Sequence, residues 1–339
     1  MFRQDISPRK IVYDTLEFEG PDRIPRQLWW LPWAQQSYPT QFNEIRRRFP
    51  DDLIYANGEL KEKLHTSGQP YAKGSYTDEW NCTFETPVDG VLGEVREPLI
   101  KTWADVEKVR IPRECLSIDI ERINTFCRNT KEFVLAGCCP RPFERLQFLR
   151  GSENLLLDIA TSETDLLKLR DIIHEFYIQE FDLWARTEVD ALAFMDDWGM
   201  QHSLLISPQS WRELFKPLYR DYISIAHSHG KKVFMHSDGY TLDIIEDLIE
   251  LGLDAINTQL FCMDIEQLGQ RYKGRITFWG ELDRQQLLAT GSEEQIEQAV
   301  KLVHRNLYHN GGLIAQLEFG PGARPENISK AFETWNNFV

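Results

Sequence analysis

The stretch that decides the fold is Lys231–Ile256, KKVFMHSDGYTLDIIEDLIELGLDAI. A β-prone run ends at His236, and after Gly239 apolar residues recur at helical spacing as far as Gly252. A second β-prone run begins at Ala255. A strand, a helix and a further strand in this order predict a parallel sheet with helical crossover connections.

The same alternation recurs along the 339 residues, a length that a single α/β barrel reaches. We predict one (β/α)8 TIM barrel domain over residues 1–339. Residues 76–100 have hairpin character, with Asp89-Gly90 as the turn, and we expect them to form a β-hairpin inserted beside the barrel. The predicted barrel strands are Ile24–Trp30, Leu53–Ala56, Phe133–Cys138, Ala191–Asp196, Lys232–Ser237, Ala255–Thr258, Thr277–Gly280 and Gly312–Leu317.

Local signals predict where several helices begin and end. Ser207 before a proline is a typical N-cap, and Pro217 should break the helix that follows. Thr241 is the predicted cap of the helix after His236, and Gly252 is its predicted end.

Composition excludes several classes of protein. The formal net charge of -15 and the absence of a basic cluster argue against nucleic-acid binding. No apolar run approaches the roughly 20 residues of a membrane span, and the basic N-terminal segment lacks the apolar core of a signal peptide. The six cysteines show no CxxC spacing, so we expect reduced thiols. These features predict a cytoplasmic protein that acts on a small molecule.

Polar residues at the carboxyl ends of the predicted strands are the candidate functional residues, because chemistry in such barrels sits at that face. His236 and Asp238 are two residues apart and therefore point to the same side of a strand. With Glu318 from the eighth strand as a third donor, they could bind a divalent metal. The alternative is a hydrogen-bonded pair in a polar layer of the barrel.

Three carboxylates are candidates for catalytic acid or base. Asp196 and Asp197 are adjacent, so at most one of them faces the mouth of the barrel, and the other could cap a turn. Glu281 follows the seventh predicted strand, where it either lies at the mouth or belongs to a loop. A carboxylate held away from cations has a raised pKa and can exchange protons near neutral pH.

Tryptophans crowd the same strand ends and could form a substrate-binding surface. The candidates are Trp30, Trp198 and Trp279. The alternative for each is packing in the hydrophobic core.

The order of several motifs resembles the uroporphyrinogen decarboxylase superfamily, which also contains corrinoid-dependent methyltransferases. The resemblance spans the chain and implies a single uroporphyrinogen decarboxylase-like barrel with its site at the C-terminal mouth. The segments that carry it are DRIPRQLWW, PFERLQFLRGSENLLLDIA, DDWGMQHSLLISPQSWRELFKPLYR, KKVFMHSDG, GELDRQQLLATGSEEQI and GGLIAQLEFGPGARPENI.

The departures from each branch favour the methyltransferases over uroporphyrinogen decarboxylase proper. The Arg-Gln-Ala-Gly-Arg segment of the decarboxylases is replaced by LWWLPWAQQSYP, which lacks the arginines for a polycarboxylated substrate. The zinc-binding His-x-Cys of the methyltransferases is similar to His236 and Asp238, and Glu318 stands where a later cysteine is expected. Harder ligands favour a site that polarises oxygen.

The resemblance thus implies a zinc-assisted methyltransferase that uses a small oxygenated or aromatic methyl donor. Zn²⁺ would be held by His236, Asp238 and Glu318. Since no Asp-x-His-x-x-Gly signature occurs in the chain, the corrinoid is expected on a partner protein. The alternatives are a decarboxylase of another carboxylated ring and a barrel that binds a small molecule without chemistry.

Overall fold

The computed structural model describes residues 6–338, and within them strands and helices alternate. The ten strands are β1 Arg26–Trp30, β2 Leu53–Tyr55, β3 Gly74–Thr77, β4 Thr83–Thr86, β5 Phe133–Leu135, β6 Ala191–Met195, β7 Lys232–Ser237, β8 Ala255–Thr258, β9 Thr277–Trp279 and β10 Leu313–Phe319.

Fourteen α-helices surround the strands within the described residues, together with three short 3-10 helices. The α-helices are α1 Pro8–Leu16, α2 Pro32–Ser37, α3 Pro39–Arg48, α4 Ile120–Asn129, α5 Pro142–Arg150, α6 Ser152–Thr161, α7 Thr164–Ala185, α8 Pro208–Leu214, α9 Lys216–Ser228, α10 Leu242–Leu251, α11 Ile265–Tyr272, α12 Leu287–Thr290, α13 Glu293–Leu307 and α14 Pro325–Trp335. The 3-10 helices are Trp103–Lys108, Arg113–Leu116 and Leu260–Cys262.

Eight of the strands form one parallel sheet in the order β1-β10-β9-β8-β7-β6-β5-β2. This arrangement is a nearly closed (β/α)8 barrel, which confirms the predicted fold. The predicted bounds of β7 and β8 coincide with the observed ones, whereas β5 ends at Leu135 and not at Cys138. In the register of the sheet, His236 on β7 lies opposite Met195 on β6 and Asn257 on β8.

Where the barrel closes, β1 and β2 are joined by hydrogen bonds of side chains more than by backbone hydrogen bonds between the strands. Asp51 accepts a hydrogen bond from the backbone nitrogen of Leu28 at 2.7 Å. Asp52 accepts one from the backbone nitrogen of Arg26 at 2.8 Å and binds the guanidinium of Arg23. Two carboxylates thereby satisfy amides of β1 that would otherwise need a neighbouring strand.

The inserted segment is a hairpin, but its turn is not where we predicted it. β3 and β4 pair antiparallel, with Thr77 opposite Thr83, so the tight turn is formed by residues 78–82. Asp78 accepts hydrogen bonds from the backbone nitrogens of Trp80 and Cys82, as an Asx turn does. Asp89-Gly90 is therefore not the turn of this strand pair. Those residues lie in a second, wider turn that is closed by the antiparallel bridge between Glu85 and Glu94.

The predicted helix breaks and caps are partly confirmed. Ser207 accepts a hydrogen bond from the backbone nitrogen of Ser210, and Phe215 separates α8 from α9, in whose first turn Pro217 lies. Gly252 ends α10 in the left-handed conformation. Thr241 does precede α10, but its hydroxyl bonds to Thr258 and not to the first turn of the helix.

Aromatic side chains fill the interior of the barrel beneath its mouth. The ring of Trp279 packs against Phe234 at 5.1 Å and against Trp29 at 5.0 Å between ring centroids. Phe133 lies next to Phe234 on the opposite side. The site at the mouth therefore has an apolar and rigid floor. None of the helices described is long and apolar enough to cross a membrane.

Candidate metal centre at the barrel mouth

Three metal-binding side chains converge at the carboxyl ends of β6 and β7. Asp197, His236 and Asp238 each place a ligand atom within 4.8 Å of the other two. The Nε2 atom of His236 lies 3.5 Å from Oδ1 of Asp197 and 3.7 Å from Oδ1 of Asp238. We call these residues the mouth triad. It brings together two predicted metal ligands and one predicted catalytic acid.

Close pairing of the two loops after β6 and β7 builds the mouth triad. Oδ1 of Asp197 accepts a hydrogen bond from the backbone nitrogen of Asp238 at 2.9 Å. Gly199 and Gly239 then cross in direct contact, and a Cβ atom added to Gly199 would lie 2.1 Å from the backbone nitrogen of Tyr240. Only glycine allows this approach, which holds both carboxylates beside the imidazole.

Asn257 fixes the orientation and the tautomer of His236. Its Oδ1 atom lies 2.6 Å from Nδ1 of His236. Its Nδ2 group donates to the backbone oxygen of Trp279 and to Oε1 of Gln316, so Oδ1 must be the atom that faces the ring. His236 therefore carries a proton on Nδ1 and directs Nε2 toward the two carboxylates, as a metal-binding histidine does.

The electrostatics of the mouth triad favour positive charge at its centre. Burial alone would lower the pKa of His236, but the carboxylates of Asp197 and Asp238 outweigh it and raise that pKa above its ordinary value. One imidazole nitrogen and two carboxylate oxygens are a donor set that suits Zn²⁺ and other divalent ions. The residues present thus fit a divalent cation.

Arg284 binds one carboxylate of the mouth triad and two acidic groups outside it. Its guanidinium donates to Asp238 and to Glu318, and its Nε atom lies 3.8 Å from Oε1 of Glu281. Glu318, the predicted third metal ligand, is therefore held by an arginine and lies outside the mouth triad. For Glu318 to reach a metal bound by His236, the guanidinium would have to move.

Glu281 is a buried acid aimed at the mouth. Its residue surface is only 3% exposed, and neither carboxyl oxygen has a hydrogen-bond partner within residues 6–338. Burial raises its pKa to about 8, and Asp238 and Glu318 add to that rise against the opposing charge of Arg284. Near neutral pH this carboxyl is mostly protonated, which is the state that a general acid requires.

Asp196 faces the helix layer and not the mouth. It is fully buried, accepts a hydrogen bond from the hydroxyl of Tyr219 at 2.6 Å, and accepts another from the backbone nitrogen of Glu144 at 2.8 Å. Glu144 is in the first turn of α5, so the carboxyl of Asp196 binds the N-terminal end of that helix. Of the adjacent pair, Asp197 is the residue at the mouth.

The three predicted substrate-binding tryptophans lie in three different environments. Trp198 is fully buried among the outer helices, where its indole donates to Tyr219 at 2.8 Å. Trp279 lies within the barrel, and Trp30 packs its half-exposed ring against Phe42 on α3. The indole next to the mouth triad belongs instead to Trp29, with its ring centroid 5.2 Å from that of His236.

A cavity of about 300 Å³ opens beside the mouth triad. Glu281 and Arg284 form its inner wall, and polar side chains from the loops after β6, β8 and β9 complete it. This volume is at the lower end of small-molecule sites. The lining includes Gln201, His202, Gln259, Cys262 and Gln285.

Sequence reasoning missed Asn257, Arg284 and Glu144. Asn257 is the penultimate residue of β8, so the rule that selected other polar strand ends would have found it. Arg284 is three residues after Glu281 in a loop, and Glu144 is in a helix. Neither position carries a signal that distinguishes it from an ordinary surface charge.

A profile of the family described as uroporphyrinogen decarboxylase (URO-D) matches residues 79–338. The chain belongs to the uroporphyrinogen decarboxylase family. That match agrees with the resemblance read from the motifs, and it includes every residue of the mouth triad as well as Glu281 and Glu318.

One solved structure supports the fold of this URO-D chain, and another is similar over part of its length. A methyltransferase from Methanosarcina mazei superposes with a TM-score of 0.64 at 13% identity, over 98% of this chain and 99% of the other. A glycosylated endo-β-1,4-xylanase from Gloeophyllum trabeum reaches a TM-score of 0.41 at 11% identity, over 66% and 83% of the two chains. A search of curated proteins found no match.

Proposed function

We propose that this URO-D protein transfers a methyl group between a small methylated donor, oxygenated or aromatic, and a corrinoid carried by a partner protein. The observation that carries the proposal is the mouth triad, in which a histidine with a fixed tautomer directs Nε2 toward two carboxylates. Family membership and the overall likeness to a methyltransferase are consistent with it.

The mouth triad would hold a divalent ion, which we propose to be Zn²⁺. Bound there, the ion would supply Lewis acidity toward an oxygen of the donor. Asn257 keeps Nε2 of His236 available for binding, and the hydrogen bond from the backbone of Asp238 holds Asp197 in place. Glu318 could join the ligand set after Arg284 releases it.

Glu281 is the residue that we propose as the proton donor. When the bond between the methyl carbon and the donor oxygen breaks, the electron pair stays on oxygen, and that oxygen takes the proton of Glu281. The carboxylate left behind is stabilised by Arg284, whose Nε atom is 3.8 Å from Oε1. Trp29 and Trp279 beneath the mouth exclude water from one side of the site.

The charge of the mouth argues against a substrate with many carboxylates. Three acidic residues, namely Asp238, Glu281 and Glu318, surround Arg284, and two of them already bind its guanidinium. A polycarboxylated ring needs several free cations to bind. This favours methyl transfer over decarboxylation of such a ring.

The test is elemental analysis of the wild type beside the His236→Ala, Asp238→Ala double variant. We expect about one zinc ion per wild-type chain and almost none in the variant, because each lost ligand weakens binding strongly. His202→Ala is the matched control, since His202 lines the cavity but is outside the mouth triad. Donors are then screened with a corrinoid protein, and a double variant that keeps both metal and methyl transfer would refute the proposal.

A further inference from the structure

A larger cavity, of about 460 Å³, lies between the inserted hairpin, α7 and the residues that follow β5. We call it the insert chamber. Most of its wall is apolar, and aromatic rings of the insert, α5 and α7 contribute to it. They include Trp80, Phe148, Phe176 and Trp184. A volume and lining of this kind suit a ligand with one or two planar rings.

Two polar groups of the insert chamber have unused hydrogen-bonding capacity. The guanidinium of Arg141 makes no hydrogen bond within residues 6–338, and its nearest carboxylate oxygen, on Glu144, is 3.9 Å away. Glu180 likewise has no hydrogen-bond partner among the residues described. A guanidinium offers five N–H donors, so leaving all of them unpaired in a cavity is costly without a ligand or water.

The other charged groups of the insert chamber pair with one another. Arg145 donates to Asp78 at 2.5 Å, lies 3.5 Å from Glu79 and covers the ring of Trp80 at 5.0 Å. The aromatic face that could bind a cationic ligand is therefore occupied by Arg145. Burial also raises the pKa of Glu180 to about 8, which makes its carboxyl a hydrogen-bond donor near neutral pH. Both groups that remain are donors, so they call for an acceptor.

The insert chamber approaches the mouth triad through Arg141 and Glu144. The guanidinium of Arg141 lies 3.9 Å from the carboxylate of Glu144. The backbone nitrogen of Glu144 donates to Asp196, the neighbour of Asp197 in the mouth triad. A ligand bound to Arg141 would therefore lie on the side of the insert chamber nearest the end of β6 and not at a remote surface.

We propose that the insert chamber binds a planar aromatic carboxylate, with the anion on the guanidinium of Arg141 and the ring against the apolar, partly aromatic wall. The identification of this ligand as the methyl donor, or as its demethylated product, rests on the proposed function. Binding itself needs neither metal nor corrinoid, so the two proposals can fail separately.

The test measures binding of two fluorinated probes by ¹⁹F NMR with metal-free protein. The probes are 4-fluorobenzoate and the neutral 4-fluorobenzyl alcohol. We expect Arg141→Met to weaken benzoate binding by about 10- to 100-fold, the range for loss of a hydrogen bond to a charged group, with less than about a 3-fold effect on the alcohol. Arg113→Met, at an exposed arginine outside the insert chamber, is the matched control and should bind both probes as the wild type does.

A second variant locates the bound ring. Leu64→Trp fills the insert chamber from its wall and should abolish binding of both probes. The proposal is overturned if the wild type shows no saturable benzoate binding, or if Leu64→Trp retains it. It is also overturned if Arg141→Met binds benzoate normally or weakens both probes equally. Retention of both metal and methyl transfer by the double variant of His236 and Asp238 would refute the proposed function and leave this result unaffected.

Discussion

Replacement of Glu281 by glutamine should remove most of the alkaline destabilisation that this residue imposes on the fold. Burial raises its pKa from an ordinary 4.5 to about 8. Because the folded-state pKa is higher than the unfolded-state one, the stabilising effect of the proton is complete below the unfolded value and is lost as the pH rises through about 8. Glutamine has nearly the same shape but cannot ionise.

The size of the effect follows from that shift. Each pKa unit corresponds to ~1.4 kcal/mol, so ionisation of Glu281 should lower the free energy of unfolding by about 4 kcal/mol between about pH 5 and about pH 9. The carboxyl is almost wholly buried, so solvent screens this effect little. The difference in unfolding free energy between Glu281→Gln and the wild type should therefore change by about 4 kcal/mol in favour of the variant over that interval.

Urea unfolding of metal-free protein at several pH values measures this difference. Glu175→Gln, at an exposed position of α7, is the control and should follow the wild type at every pH. If the curves of Glu281→Gln and the wild type are parallel from about pH 5 to about pH 9, the carboxyl does not have a raised pKa. Its proposed role as the proton donor would then lose its physical basis.

Three further substitutions test the supports of the site. Asn257→Leu removes the acceptor that fixes the tautomer of His236, so zinc affinity should fall by about 10- to 100-fold. A competition with a chelator measures this affinity, and an unchanged value would contradict the assigned tautomer. Arg284→Met leaves the acidic groups of the mouth without their cation, so the apoprotein should melt at a lower temperature than the wild type. Added zinc should raise the melting temperature of this variant by more than it raises that of the wild type. Trp198→Phe deletes the hydrogen bond to Tyr219 and should lower the free energy of unfolding, measured in urea, by about 1–3 kcal/mol. The zinc content of this variant should be unchanged, and a loss of zinc would place Trp198 in the site.

The barrel was predictable because its signals are local. The alternation of β-prone runs with amphipathic segments gave the eight strands, and β7 and β8 were predicted with their observed bounds. The turn of the insert was not, because Asp89-Gly90 has strong turn propensity while the observed turn depends on the side chain of Asp78 accepting two backbone hydrogen bonds. Propensity alone does not rank two such turns.

The candidate site was predictable only in outline. Strand periodicity placed His236 and Asp238 on one side of β7, and it allowed only one of Asp196 and Asp197 to face the mouth. It could not choose between those two, since the choice depends on Tyr219 and on the N-terminal end of α5. Nor could it show that Arg284 holds Glu318, because that contact joins the loop after β9 to the end of β10, 34 residues later in the sequence.

The carboxylates of Asp51 and Asp52 have a consequence for how copies of the protein behave toward one another. A sheet without a complete ladder between its first and last strands has two edges, and unpaired amides at an edge can recruit strands of other molecules into aggregates. Here the amides of Arg26 and Leu28 already donate to those two carboxylates. An incoming strand would have to displace these two carboxylates, one of them buried, to pair with β1, so the incomplete ring is protected against edge-to-edge association.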